Sequence, residues 1–115
     1  MCGIGAMLGC VDSAVLSRIN QLQSHRGPDG ARVWFDDHCG LAHARLAILD
    51  LAGSDQPLAS DHGAVLVHNG EIYNHQRVRR RYPNYPWRTA GDSETILALH
   101  SRLGRRPRTV LSSPE

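Results

Sequence analysis

Apolar and polar positions alternate along this chain in short, well-punctuated blocks. Residues 2–9, CGIGAMLG, are small and apolar with three glycines, which predicts a buried strand whose neighbours approach its backbone closely. Asp12 and Ser13 are good N-cap types, and Leu16, Ile19 and Leu22 recur near helical spacing, so an amphipathic helix is expected over residues 13 to about 24. The segment HRGPDG at 25–30 ends it in a tight turn, across which Arg26 and Asp29 are placed to pair. Residues 32–35 and 40–49 favour strands, with Asp36, Asp37 and His38 as the hairpin connection. The stretch 51–63 is a loop by composition. A β-branched and apolar run at 64–68 then stops at Asn69-Gly70, the dipeptide most prone to positive φ, and predicts a strand entering a special turn. Asn74 is placed to cap a short helix through residue 81, and Pro83 and Pro86 make 82–87 irregular. Asp92 or Ser93 caps a helix that carries Glu94, Ile96, Leu97 and Leu99 to about residue 103. Beyond it GRRPRTVLSSPE, residues 104–115, has no apolar periodicity and reads as a disordered tail rich in Arg, Ser and Pro.

Composition narrows the class. With 115 residues, 41% hydrophobic and 21% charged, and a net charge of +2, the chain has the profile of one small soluble domain. It contains no run of about 18 apolar residues, and its start lacks the basic flank and apolar stretch of a secretion signal, so a cytoplasmic location and no membrane partner are expected. The three cysteines, Cys2, Cys10 and Cys39, form no CxxC pair and are expected to be reduced thiols. Cys39, His43, His62 and His68 match no standard ligand spacing, so no metal is expected. Every basic residue is arginine, and the charge is uneven: residues 1–57 carry four Arg against six Asp, and residues 58–115 nine Arg against five acids. The RVRRRY stretch at 77–82, close to Tyr85 and Trp87, is expected to be a solvated helix face in preference to a nucleic-acid contact.

Candidate chemistry begins at Cys2. A small second residue favours removal of Met1, which leaves a cysteine carrying both a thiol and a free α-amino group. With a reference pKa of about 7.7–8.0, that amine takes the thiol proton near neutral pH without a separate histidine. On its own, a cysteine here reads first as a small buried residue. Six segments in order change the weighting: MCGI at the start, HRGPDG at 25–30, AHARLAILD at 42–50, DQPL at 55–58, HNGEIYN at 68–74 and GDSE at 91–94. Together they resemble the class II glutamine amidotransferase domain, an Ntn hydrolase, in the form found in the N-terminal half of glutamine-hydrolysing asparagine synthetases. The resemblance runs from Cys2 to about Leu103.

What the resemblance implies is specific. The fold would be α+β, part of an αββα sandwich of mostly antiparallel sheets flanked by helices. Cys2 would attack the side-chain amide of glutamine and form a thioester, releasing ammonia. Asn69 and Gly70 would form the oxyanion hole, and Arg45 would grip the substrate α-carboxylate, with Leu46 and Ile48 lining the pocket. Glu71 and Asp92 would take the α-ammonium group. From local sequence, Asn69-Gly70 reads as an ordinary turn, Arg45 as a surface residue, Glu71 as a solvated turn residue and Asp92 as a helix cap. Arg26 and Asp29 would shape the site without touching the substrate.

There are departures as well. Ala6 stands where the family usually has glycine. The family's domain continues for several more strands after the position of Leu103, and its ATP- and Mg-binding synthetase domain has no counterpart here, so a truncated domain with no cofactor of its own is expected. The loss of pattern at Gly104 suggests truncation or a change of coding frame. An uncovered sheet implies self-association or pairing with a synthetase domain. The rival expectation is a non-catalytic remnant acting as a binding or regulatory module.

Overall fold

The computed structural model describes residues 2–46 and 55–104. Its elements run β1 (Gly3–Leu8), α1 (Ser13–Leu22), β2 (Gly30–Phe35), β3 (Cys39–Arg45), β4 (Leu58–Ala59), β5 (Val65–Leu66), α2 (His75–Arg81) and α3 (Glu94–Leu103). This is an α+β arrangement, as the resemblance implies. The chain divides into two compact units. The first takes its described residues from 2–46, 55–58 and 66–70, and the second from 59–65 and 71–104.

In the first unit β1, β3 and β2 form an antiparallel sheet in that order, with Gly3 opposite Ala44, Ile4 opposite His43, and Arg32 opposite His43 from the other side. The β2–β3 hairpin closes through Asp36, whose Oδ1 accepts from the backbone N–H of His38 (2.8 Å) and Cys39 (2.7 Å). Those bonds hold its carboxyl below the usual range. Helix α1 starts where the cap predicted, with the Asp12 carboxylate accepting from Ala14 N–H. It packs on the sheet face formed by Gly5, Ala42 and Ala44, burying Leu16 completely; a Cβ at Gly5 would lie 2.6 Å from Ile19 Cγ2, so the close approach expected of this strand is real. The buried Asn20 is satisfied, donating to the Arg32 carbonyl at 3.0 Å and accepting from Gln23 at 2.9 Å.

Two expectations fail here. Strand β1 lies at the sheet edge, and its alternate residues Ile4 and Leu8 are 47% and 82% exposed. Small apolar composition marked close packing on one face, but carries no record of whether the other face is covered. The strand expected at 64–68 shortens to Val65–Leu66, which pairs with β4 in a two-stranded sheet. The strand end expected at 46–49 lies mostly outside the described residues, as does the tail after Gly104.

The second unit is organised around a buried carboxylate. Glu94 accepts from the backbone N–H of Arg88 (2.8 Å) and Thr89 (3.1 Å) and from the Thr89 hydroxyl (3.2 Å), and Arg79 lies 3.8 Å away. Arg79 also donates to the Gly91 carbonyl at 2.6 Å and stacks over the Trp87 ring at 4.3 Å, and Trp87 meets Tyr85 edge-on at 4.7 Å. The solvated-face expectation for 77–82 is therefore wrong at Val78 and Arg79, which α2 turns inward, Arg79 to a charge partner on α3. Val78, Leu97, Ala98 and Leu99 complete the apolar packing. The helix caps differ from expectation in detail: neither Asn74 nor Ser93 makes a side-chain cap bond. The backbone carbonyl of Asp92 instead receives Thr95 N–H (3.1 Å) and the Thr95 hydroxyl (2.5 Å). No helix among the described residues is long and apolar enough to cross a membrane.

Candidate active site

Cys2 stands just before β1, and continuing the β1–β3 register by one step sets it opposite Arg45. Successive side chains on a strand alternate faces, so Cys2 and Arg45 fall on the face of Ile4 and His43, opposite α1. The thiol is half-buried against the backbone of Leu46, whose N–H points at Sγ (3.4 Å) and whose carbonyl lies 3.9 Å from it. The Cys2 carbonyl accepts from Arg26 Nε at 3.3 Å. The HRGPDG turn thus ties the residue before β1 to the loop after α1, and Asp29 N–H donates to the Arg45 carbonyl at 2.9 Å. Arg26 and Asp29 each brace a different strand end.

Arg45 is engaged by Asp55, its Nη1 lying 2.6 Å from Oδ1, and Arg32 stands 4.0 Å from the other carboxylate oxygen. The guanidinium is only 22% exposed while Asp55 is half-exposed, so the pair holds an arginine fork at the rim of the unit with a carboxylate already on it. Asp55 thereby shows that a carboxylate fits this position. Next in sequence, Gln56 is buried, and its Oε1 accepts from His68 N–H at 2.5 Å. His68 leads directly into Asn69, which is half-buried, and Gly70, whose φ of +154° is a conformation glycine adopts readily.

His43 sits beneath this segment, 3% exposed, its ring against the backbone of His68 and its Nε2 without a hydrogen-bond partner among the described residues. Burial holds its pKa below the ordinary value, and the neighbouring Arg45 adds to the effect, against the opposing pull of the His68 backbone and Asp55. The ring is therefore neutral at physiological pH.

Of the expected site residues, Cys2, Arg45, Leu46, Asn69 and Gly70 are collected in the first unit. Ile48 lies outside the described residues. Glu71 and Asp92 belong to the second unit, where Glu71 is exposed and Asp92 Oδ2 accepts Ile72 N–H at 2.7 Å. Asp55 and Gln56 carry no individual signal in the sequence beyond the DQPL segment that contains them, and His43 and His68 read there only as candidate metal ligands. No group of three His, Cys, Asp or Glu among the described residues is placed to hold a metal ion.

Comparison with known proteins bears directly on this arrangement. A family model described as a glutamine amidotransferase domain matches residues 1–112. An asparagine synthetase [glutamine-hydrolyzing] of Asparagus officinalis is 44% identical over 110 residues, covering 90% of this chain. The corresponding proteins of Lotus japonicus and Sandersonia aurantiaca are each 43% identical over the same length. The chain spans 19–21% of the length of these relatives. With a matched model over nearly its whole length, this chain belongs to the glutamine amidotransferase domain family.

Proposed function

We propose that this chain is the glutamine-hydrolysing part of an asparagine-synthetase-like enzyme, with Cys2 as its nucleophile. The observation that carries the reading is the placement of the Cys2 thiol, the Arg45 fork and the Asn69-Gly70 turn in one compact unit, on a sheet whose register sets Cys2 opposite Arg45. Once Met1 is removed, the α-amino group accepts the thiol proton and the sulfur attacks the side-chain amide carbon of glutamine. The negative oxygen of the tetrahedral intermediate is met by the Asn69 side-chain amide and the Gly70 N–H. Collapse breaks the C–N bond, the amine returns the proton to the leaving group, and ammonia departs. Water then hydrolyses the thioester to glutamate and restores the thiol.

Substrate selection follows from charge. Arg45 exchanges the Asp55 carboxylate for that of the substrate; the family resemblance assigns the α-ammonium group to Glu71 and Asp92. Leu46 lines the pocket. ATP and Mg belong to a synthetase domain, which is also the partner expected to consume the ammonia.

The test is ammonia release from glutamine by the purified chain, with Met1 removal verified by mass, beside a Cys2→Ala control. Release by the wild type and none by the control is the expected result. Equal rates overturn the assignment of Cys2, and the absence of release from both leaves the chain as a non-catalytic module.

A further inference from the structure

The arginine set opposite Cys2 already holds a carboxylate from its own chain. Arg45 Nη1 donates to Asp55 Oδ1 at 2.6 Å, and Arg32 Nη1 lies 4.0 Å from Oδ2 of the same group. The β2–β3 register pairs Arg32 with His43 and Gly30 with Arg45, so the two arginines are diagonal neighbours on the sheet face that carries Cys2. In the strand order β1-β3-β2, Arg45 stands on the middle strand, between the Cys2 side of the sheet and Arg32 on the far edge. Their surroundings differ: the Arg45 side chain is 22% exposed and that of Arg32 61%. Asp55 is kept near both because the next residue is anchored. Gln56 is buried, and its Oε1 accepts from His68 N–H at 2.5 Å.

We propose that Asp55 is a tethered competitor for the carboxylate site of Arg45, and that Arg32 receives it when a substrate carboxylate takes its place. The proposal rests on the glutaminase reading for the identity of that substrate and concerns how tightly the site holds it. A substrate that presents its amide to Cys2 lies on the β1 side of Arg45. The open direction for Asp55 is then toward Arg32, and its Oδ2 already faces that way. At 4.0 Å the Arg32 contact is at the outer limit of an ion pair, and it shortens as Asp55 leaves Arg45. The exchange leaves each carboxylate with a cation: Asp55 on Arg45 before it, the substrate on Arg45 and Asp55 on Arg32 after it. Because binding must first expel Asp55, the apparent affinity is reduced by the fraction of time that Arg45 is unoccupied. A pair between a sheltered arginine and a half-exposed aspartate makes that a loss of about fivefold.

The experiment measures two dissociation constants on the full chain carrying Cys2→Ala, which binds without turnover. Glutamine is titrated by calorimetry, and acetate, at constant ionic strength, is followed by the NMR signal of the Arg45 Nε–H. Asp55→Asn keeps the shape of the side chain and removes its charge, and Asp55→Ala removes the group altogether. Both are expected to bind glutamine and acetate about fivefold more tightly. Arg32→Met is expected to bind each about twofold more weakly, and to have no effect when combined with Asp55→Asn, whereas an arginine acting on the ligand directly would be missed in both backgrounds. Unchanged or weaker binding in both Asp55 variants overturns the competitor and makes Asp55 a group that holds Arg45 in place. Tighter or unchanged binding in Arg32→Met, or a loss that persists in the double variant, overturns the transfer to Arg32. No acetate response at Arg45 in any variant overturns the proposal as a whole. If acetate follows the expected pattern while glutamine binds to none of the variants, the glutaminase reading fails and the competition at Arg45 stands.

Discussion

Replacing Glu94 by Gln exchanges one oxygen of a buried carboxylate for an NH2 group, almost without change of shape. In the native structure Oε1 takes Arg88 N–H at 2.8 Å, while Oε2 takes Thr89 N–H at 3.1 Å and the Thr89 hydroxyl at 3.2 Å, with Arg79 Nη2 at 3.8 Å. Whichever way the amide is turned, its NH2 faces backbone N–H groups or the guanidinium, donor against donor. The hydroxyl of Thr89 can rotate to accept; Thr89 N–H and Arg79 cannot. Arg79 then keeps its bond to the Gly91 carbonyl and its stacking on Trp87, but its charge is left 17% exposed with no anion beside it. One orphaned N–H costs about 1–3 kcal/mol and a buried pair broken on one side about 3–5, so the overlapping losses come to about 4 kcal/mol. At about 2 kcal/mol per molar urea, the midpoint of unfolding falls by about 2 M. The assay is urea denaturation followed by Trp87 fluorescence in a Trp34→Phe background, which confines the signal to the unit that holds Glu94. A loss below about 1 kcal/mol would refute the reasoning, showing that solvent reaches this carboxylate as it reaches a surface one. Arg79→Met in the same background supplies the second arm: the double variant should be less destabilised than the two singles added together, since each single leaves the other charge uncompensated.

Leu16→Ala removes the one fully buried leucine of α1 from its sheet and is expected to cost about 3 kcal/mol, measured by urea denaturation; a cost under about 1 kcal/mol means the face is not sealed. At Gly27 an added Cβ would stand 2.1 Å from the Ala44 carbonyl oxygen, so Gly27→Ala must displace β3 backbone, and a thermal melt should show a loss of about 3 kcal/mol where a surface Gly→Ala would be neutral or stabilising. His43 gives stability a pH dependence of definite sign. Its folded pKa lies below the unfolded value of 6.5, so its contribution is complete above that pH and is lost as pH falls through the lowered value, with Arg45, Asp55 and His68 as the charged and titratable neighbours that set it. Urea midpoints at about pH 7.5 and about pH 5 should differ more for wild type than for His43→Asn, and identical differences would sink this assignment.

Much of the local architecture could be read along the chain. Helix α1 carries its own cap in Asp12 and its apolar spacing at Leu16, Ile19 and Leu22, and the β2–β3 hairpin has its closing carboxylate in Asp36. The ordered segments around Cys2, Arg45, Asn69-Gly70 and Asp92 carried the family as well. Such features depend on residues within a few positions of one another, so sequence by itself determined them. Other features have no such local carrier. That β1 is an edge strand depends on pairing with β3 alone; that Arg79 is largely buried while Arg77, Arg80 and Arg81 are exposed depends on Glu94; that the His43 ring is buried depends on residue 68 lying over β3. The tertiary structure decided these, because the cost of burying a polar atom is set by whatever partner the fold brings to it, and for Arg79 and Gln56 that partner lies a dozen residues away.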